Sequence, residues 1–217
     1  MIVNLNLHDK KIIVVGGGNE AQKRISSLLK QDCKILVISE EFNSQINKWA
    51  KDRKIKLKKQ SVQNTKFISE LKPYMIITTT NNRKTNQKII YDAKKNSVVA
   101  YSSDNPEESD FSNPAIIDLE NMIQIAIFTG GYSPAMAKKL KVKSEKVIKK
   151  VITKEDIIQI KIQKIARKLA KETISTQTRR KNYLRSIMAD NEIDQLIKDG
   201  QIKKAEKRVI AMLRNWK

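Results

Sequence analysis

Three consecutive glycines constrain this chain more than any other feature. Gly16, Gly17 and Gly18 follow the short apolar run Lys11–Val15 (KIIVV). They precede a segment, 19–30, whose apolar residues Ala21, Ile25, Leu28 and Leu29 recur at helical spacing. Residues 16–21 fit the pattern G-x-G-x-x-[G/A] in the strand–loop–helix setting that gives the pattern meaning. Gly16 permits the tight turn, Gly18 leaves room for a pyrophosphate, and Ala21 is small enough for close helix–strand contact. Amides at the start of the helix then face the phosphates. An acid is expected about 20 residues further on, at the end of the second strand, to bind the adenine ribose. Ser39-Glu40-Glu41 stands there, and because an acid repels a 2′-phosphate, NAD is expected over NADP, with at least one glutamate on the ribose.

The surrounding pattern agrees. Strand-like runs at 34–38, 55–57, 74–78 and 97–100 alternate with helix-like segments at 42–50 and 83–94. Such alternation implies a parallel sheet with right-handed crossovers, a Rossmann domain over residues 1–113. The pattern changes at Pro114. Apolar runs at 115–117 and 122–128 flank a polar turn and read as a β-hairpin, and Ser133-Pro134 then opens a helix as N-cap and first helical residue. Residues 114–150 are therefore expected as a hairpin-plus-helix segment and 151–217 as a basic helical domain. In the latter, Ile158, Ile162, Ile165 and Leu169 form one stripe, and Asp199-Gly200 divides two short helices over 193–213.

Composition bounds the partners. The net charge is +21 over 217 residues, and it is uneven. Residues 1–137 hold 20 Lys/Arg and 14 Asp/Glu, hence +6, whereas 138–217 hold 24 and 9, hence +15. Such a field attracts polyanions: nucleic acid, a membrane surface, or a small molecule with many carboxylates. The helical part carries only Tyr183 and Trp216 as stacking aromatics and no nucleic-acid motif, so nucleic acid is disfavoured. No apolar run is long enough for a membrane span, and no secretory signal is read. Cys33 is the only cysteine and His8 the only histidine. Cys33 reads as a small core residue, His8 as a loop residue on the wrong side of the sheet for catalysis, and no metal site is expected. The reading is cytoplasmic.

Five blocks carry a resemblance. They are Leu5 to Leu7, VVGGGNEAQKR at 14–24, TTTNN at 78–82 with Asn86, SDNPEESDFSNPAIID at 103–118, and TGGYSPAMAKKL at 129–140. Over roughly residues 1–140 the chain resembles the precorrin-2 dehydrogenase family, the dehydrogenase/ferrochelatase portion of sirohaem synthases. The resemblance implies an NAD domain, a β/α dimerisation segment and a C-terminal helical domain. It implies oxidation of precorrin-2 to sirohydrochlorin with NAD, iron insertion in some members, and a homodimer, to which an apolar hairpin that is marginal alone also points.

Residue by residue, the resemblance makes Asp104 the key aspartate. It puts Asn19, Glu20, Glu40 and Glu41 on cofactor-contacting positions and Thr79 and Thr80 beside the nicotinamide half. It lines the tetrapyrrole cleft with residues 129–133, including Thr129, Gly130, Gly131 and Ser133. Asn81-Asn82 and Ser102-Ser103 depart from the family pattern without removing a group the reaction needs. Precorrin-2 carries eight carboxylates, which suits the basic C-terminal part, with Lys138, Lys139, Lys141 and Lys143 as candidate partners. Read from spacing alone, Asp104 is a turn former before Asn105-Pro106, and it is the resemblance that favours catalysis. The competing readings are an NAD-sensing regulatory domain and a basic nucleic-acid-binding protein. The first needs the glycine loop but not Asp104 or the Gly-Gly-Tyr-Ser-Pro block.

Overall fold

The computed structural model describes residues 2–216. The chain divides at Asn113/Pro114 into two compact units. In the first, β1 (Lys11–Val15), β2 (Lys34–Ser39), β3 (Lys56–Lys59), β4 (Met75–Thr78) and β5 (Val99–Ser102) form one sheet in the order β3-β2-β1-β4-β5. Every pairing is parallel. Helices α1 (Asn19–Leu28), α2 (Ser44–Lys51), α3 (Lys66–Leu71) and α4 (Arg83–Lys95) cross between the strands.

Alternation along β1 explains why both faces are covered. Ile12 and Val14 join Ile25, Leu28 and Ile46 in one core, while Ile13 and Val15 join Phe67, Ile68, Ile89 and Ile90 in another. Strand order reverses between β1 and β4, and the crevice at the carboxyl ends of these strands is where ligands bind in such sheets. Register brings Val15, Ile38 and Thr78 level, and Thr78 level with Ser102. α3 was not expected from the sequence. Its six residues bury Phe67 and Ile68, too short a segment for a helical period to register.

The second unit begins with the antiparallel hairpin β6 (Ala115–Leu119) and β7 (Ile123–Ile127). Glu120 and Asn121 both take positive φ, and the Met122 N–H closes the turn on the Leu119 carbonyl, as a primed hairpin turn requires. Five helices follow: α5 (Pro134–Val151), α6 (Lys154–Thr173), α7 (Gln177–Met188), α8 (Asn191–Lys198) and α9 (Ile202–Arg214). The packing is continuous across residue 150, because Ile157 of α6 shares a cluster with Ile117 and Leu119 of the hairpin.

The buried face of α6 is also rotated from the expected stripe. Ile157, Ile162, Ala166 and Ala170 are buried, whereas Ile158, Ile165 and Leu169 are only partly so. The two alanines let α6 approach Tyr183, which is fully buried and donates its hydroxyl to the Val209 carbonyl at 2.9 Å. Trp216 meets Tyr183 edge-on at 5.4 Å. Both aromatics of the basic helices are thus spent on packing. Among the described residues no helix is long and apolar enough to cross a membrane.

Candidate dinucleotide site

A cleft of about 720 Å³ opens at the point of strand reversal. The three glycines form its floor, Ser39, Glu40 and Glu41 one wall, and Thr79 and Thr80 the other. The protein itself requires glycine at two of the three positions. Gly16 has φ +119°, and a Cβ there would run into the Thr79 hydroxyl and backbone. A Cβ on Gly17 would collide with the Glu41 carbonyl. At Gly18 a Cβ would meet no protein atom within 4 Å. The space beside Gly18 is therefore free for a ligand, and the cleft fits a dinucleotide pyrophosphate. Gly18 also caps α1 without any side-chain hydrogen bond, so the first amides of the helix are left for phosphate oxygens.

Charge is arranged to match. Glu40 and Glu41 are exposed, and neither carboxylate has a hydrogen-bond or ion-pair partner among the described residues, so both are available to ribose hydroxyls. Asn19 and Glu20 do not line the cleft. Glu20 instead accepts from Lys23 at 3.1 Å and from Arg24 at 2.5 Å. Partial burial pushes its carboxyl up, but these two bonds outweigh burial and hold it below the usual carboxylate range. The Asn19 side chain reaches the site through Asn43, which lines the cleft, caps α2 and donates to Gln22 at 2.7 Å. Gln60 and Ser61, just after β3, and Asn81, Asn82 and Thr85, around the start of α4, also face the cleft. Asn82 caps α4 by accepting from the Thr85 N–H, which accounts for its amide.

Asp104 sits just past β5, exposed, on a loop that folds back along the strand edge. The loop is tied down by hydrogen bonds from the Ala100 N–H to Asp110 and from the Ser102 N–H to the Ser109 hydroxyl, and by stacking of Tyr101 on Phe111. Asp104 Oδ1 accepts from Asn86 Nδ2 at 3.0 Å, and the same Asn86 amide donates to the carbonyl of Thr80 in the cleft wall at 2.9 Å. Asp104 is thus one side chain removed from the cleft lining.

His8 is exposed and pairs with Asp32 and Asp9, and Cys33 is half-buried against the core with its thiol on the Leu28 carbonyl. Thr129, Gly130, Gly131 and Ser133 lie in the second unit and close a loop of their own. The Ser133 N–H donates to the Thr129 hydroxyl, and the Ser133 hydroxyl caps α5 at the Met136 N–H. Lys138, Lys139 and Lys143 on α5 are exposed and Lys141 half-buried.

A parallel sheet with this strand order, a glycine cradle and an acidic wall define a dinucleotide-binding Rossmann protein. Residues 3–115 match the family model described as Putative NAD(P)-binding, and the chain belongs to that family. It is 30% identical over 142 residues to Siroheme synthase 2 of Pectobacterium atrosepticum, a match covering 65% of this chain and 30% of that protein. It is 25% identical over 211 residues to the siroheme synthase of Actinobacillus pleuropneumoniae serotype 7, covering 97% of this chain and 42% of the relative. The chain thus spans less than half the length of these curated relatives. The solved structure of SirC, precorrin-2 dehydrogenase, superposes with a TM-score of 0.71 at 22% identity, covering 95% of this chain and 99% of that one, and the two share a fold.

Proposed function

We propose that the chain oxidises precorrin-2 to sirohydrochlorin with NAD as the hydride acceptor. The observation that carries this reading is the pairing of a glycine-floored, acid-walled cleft with a carboxylate, Asp104, held at its edge through Asn86. The bound dinucleotide supplies an acceptor for the hydride. The chain's own residues do the rest. The amides at the start of α1 hold the pyrophosphate, Glu40 or Glu41 holds the ribose, and Thr79 and Thr80 flank the nicotinamide half. Asp104 receives the proton that leaves with the second hydrogen. The likeness to siroheme synthases supports the choice of substrate.

In this reading Thr129, Gly130, Gly131 and Ser133 bind the tetrapyrrole. The excess of lysine and arginine in the helical unit gathers a ligand with eight carboxylates. The burial of Tyr183 and the packing of Trp216 against it argue against base stacking and hence against nucleic acid. The working form is a homodimer, supported by exposed Phe128 just past the hairpin and Val147 and Val151 on α5, 49%, 61% and 70% accessible. A single unpaired cysteine suits the reducing cytoplasm. Mixing the protein with NAD and precorrin-2 and following absorbance tests the proposal: the sirohydrochlorin spectrum and NADH should rise together. NAD binding without turnover would leave only a dinucleotide-binding protein.

A further inference from the structure

Thr78, Asn86 and Ser102 in the first unit are polar side chains that are fully buried. All three belong to one hydrogen-bonded set, and the set ends on Asp104. Thr78 and Ser102 are register partners on β4 and β5, and the Thr78 hydroxyl donates to Ser102 Oγ at 2.9 Å. The Ser102 hydroxyl in turn donates to Asp104 Oδ1 at 2.5 Å. Asn86, from α4, donates one amide hydrogen to the same Oδ1 at 3.0 Å and the other to the Thr80 carbonyl at 2.9 Å, while its Oδ1 accepts from the Thr80 hydroxyl at 2.6 Å. Every polar group of Asn86 is therefore used. Burying three polar side chains is costly unless each is satisfied, and here each is satisfied in a way that fixes the next.

The asymmetry at the end of the set is the informative part. Both donors fall on Oδ1, and Oδ2 has no partner among the described residues. We propose that Ser102 and Asn86 are positioning residues: they pin Asp104 by one oxygen and leave Oδ2 as the atom that takes the substrate proton. The inference rests on the dehydrogenase reading above. In the step, one C–H bond of the substrate breaks with its electron pair and hydrogen going to NAD as hydride. A second C–H or N–H bond of the macrocycle gives up its hydrogen as a proton while its electron pair becomes the new double bond of the product, and that proton forms an O–H bond at Oδ2. Oδ1 keeps both donors throughout, so the carboxyl group does not rotate as it is protonated. Water receives the proton once product has left.

The test is a double-mutant cycle on the full chain, measuring kcat and KM for NAD and precorrin-2, with melting followed in parallel. Ser102→Ala should lower kcat about tenfold, a barrier change of about 1.4 kcal/mol, with both KM values within about twofold. Asn86→Ser should do the same. In an Asp104→Asn background, Ser102→Ala should cause no further loss, because its effect passes through the carboxylate. Ser102→Thr, which keeps a hydroxyl, should recover most of the rate. Wild-type kcat in Ser102→Ala would overturn the inference while leaving the dehydrogenase reading in place. So would an equal additional loss in the Asp104→Asn background, which marks a general structural effect. An inactive wild type that still binds NAD would overturn both.

Discussion

The carbonyl oxygen of Glu41 occupies the space that a Cβ on Gly17 would need. The contact is cemented from the next turn, where the Asn43 N–H donates to the Gly17 carbonyl at 2.9 Å. The middle glycine therefore sets how closely the acidic loop approaches the phosphate cradle. Gly17→Ala should force the two backbones apart, at a stability cost of about 1–3 kcal/mol. NAD affinity should fall by at least about tenfold, because ribose and pyrophosphate contacts no longer fit one molecule. Calorimetric titration of NAD beside a thermal melt checks both numbers.

Glu40 and Glu41 should make the chain prefer NAD over NADP by about tenfold or more, since two unpaired carboxylates repel a 2′-phosphate. Glu40→Gln combined with Glu41→Gln should narrow the ratio to within about threefold. Fluorescence titration with both cofactors decides it, and equal or tighter NADP binding by the wild type would remove these residues from the ribose site.

Asp104→Asn should reduce kcat by about 10²–10⁴-fold with little change in NAD affinity, because an amide keeps the size but accepts no proton at neutral pH. Steady-state rates at saturating NAD and precorrin-2 measure it. A change within about threefold, with a wild-type melt, would leave Asp104 as a loop former.

If a second copy covers α5 and the hairpin, Val147→Asp with Val151→Asp should turn the dimer into a monomer, since two charges cannot be buried unpaired at low cost. Light scattering over a range of concentrations reads the mass. A wild-type mass near 25 kDa at every concentration would refute the dimer.

In the helical unit, Asp190 caps α8 through the Ile193 N–H and takes two bonds from Arg208, at 3.1 and 2.9 Å. The Arg208 guanidinium outweighs the cost of partial burial and holds the Asp190 carboxyl below the usual carboxylate range. A depressed carboxylate stabilises the fold above its unfolded value, about pH 4, and loses that contribution as pH falls through the folded value. Asp190→Asn retains a good cap but not the charge, so unfolding free energy at neutral pH should drop by about 0.5–1 kcal/mol. Denaturant unfolding across pH 3–7 should show the gap between variant and wild type closing toward the acid end.

Much of the first unit was legible in the sequence because its signals are local. The run Lys11–Val15, the glycines and the helical spacing after them lie within 20 residues, and the acidic pair sits at the distance the motif demands. What was illegible depends on chain segments meeting. Ser102 read as a departure from the family pattern that took nothing away. Its partner Thr78 lies 24 residues earlier, and no period or motif joins them until β4 and β5 are set in register. Asn86 stood out only as a landmark, its separation from Asp104 being 18 residues. Gly17 occupied a free position of the motif, and only the Glu41 backbone makes it obligatory. In α6 the larger side chains suggested the buried stripe, but small ones permit closer helix contact, so Ala166 and Ala170 took the inside.

The pairing of Thr78 with Ser102 has a consequence for how errors in folding would look. Side chains alternate along a strand, so a one-residue slip of β5 against β4 would present Tyr101 where Ser102 belongs and swing the hydroxyl to the opposite surface of the sheet. Such a molecule could remain compact, keep its glycine cradle and bind NAD, yet its Asp104 would hang loose. For the unmutated chain, specific activity per bound NAD is then a gauge of strand alignment, and its loss without loss of NAD binding is the mark that a slip of β5 would leave.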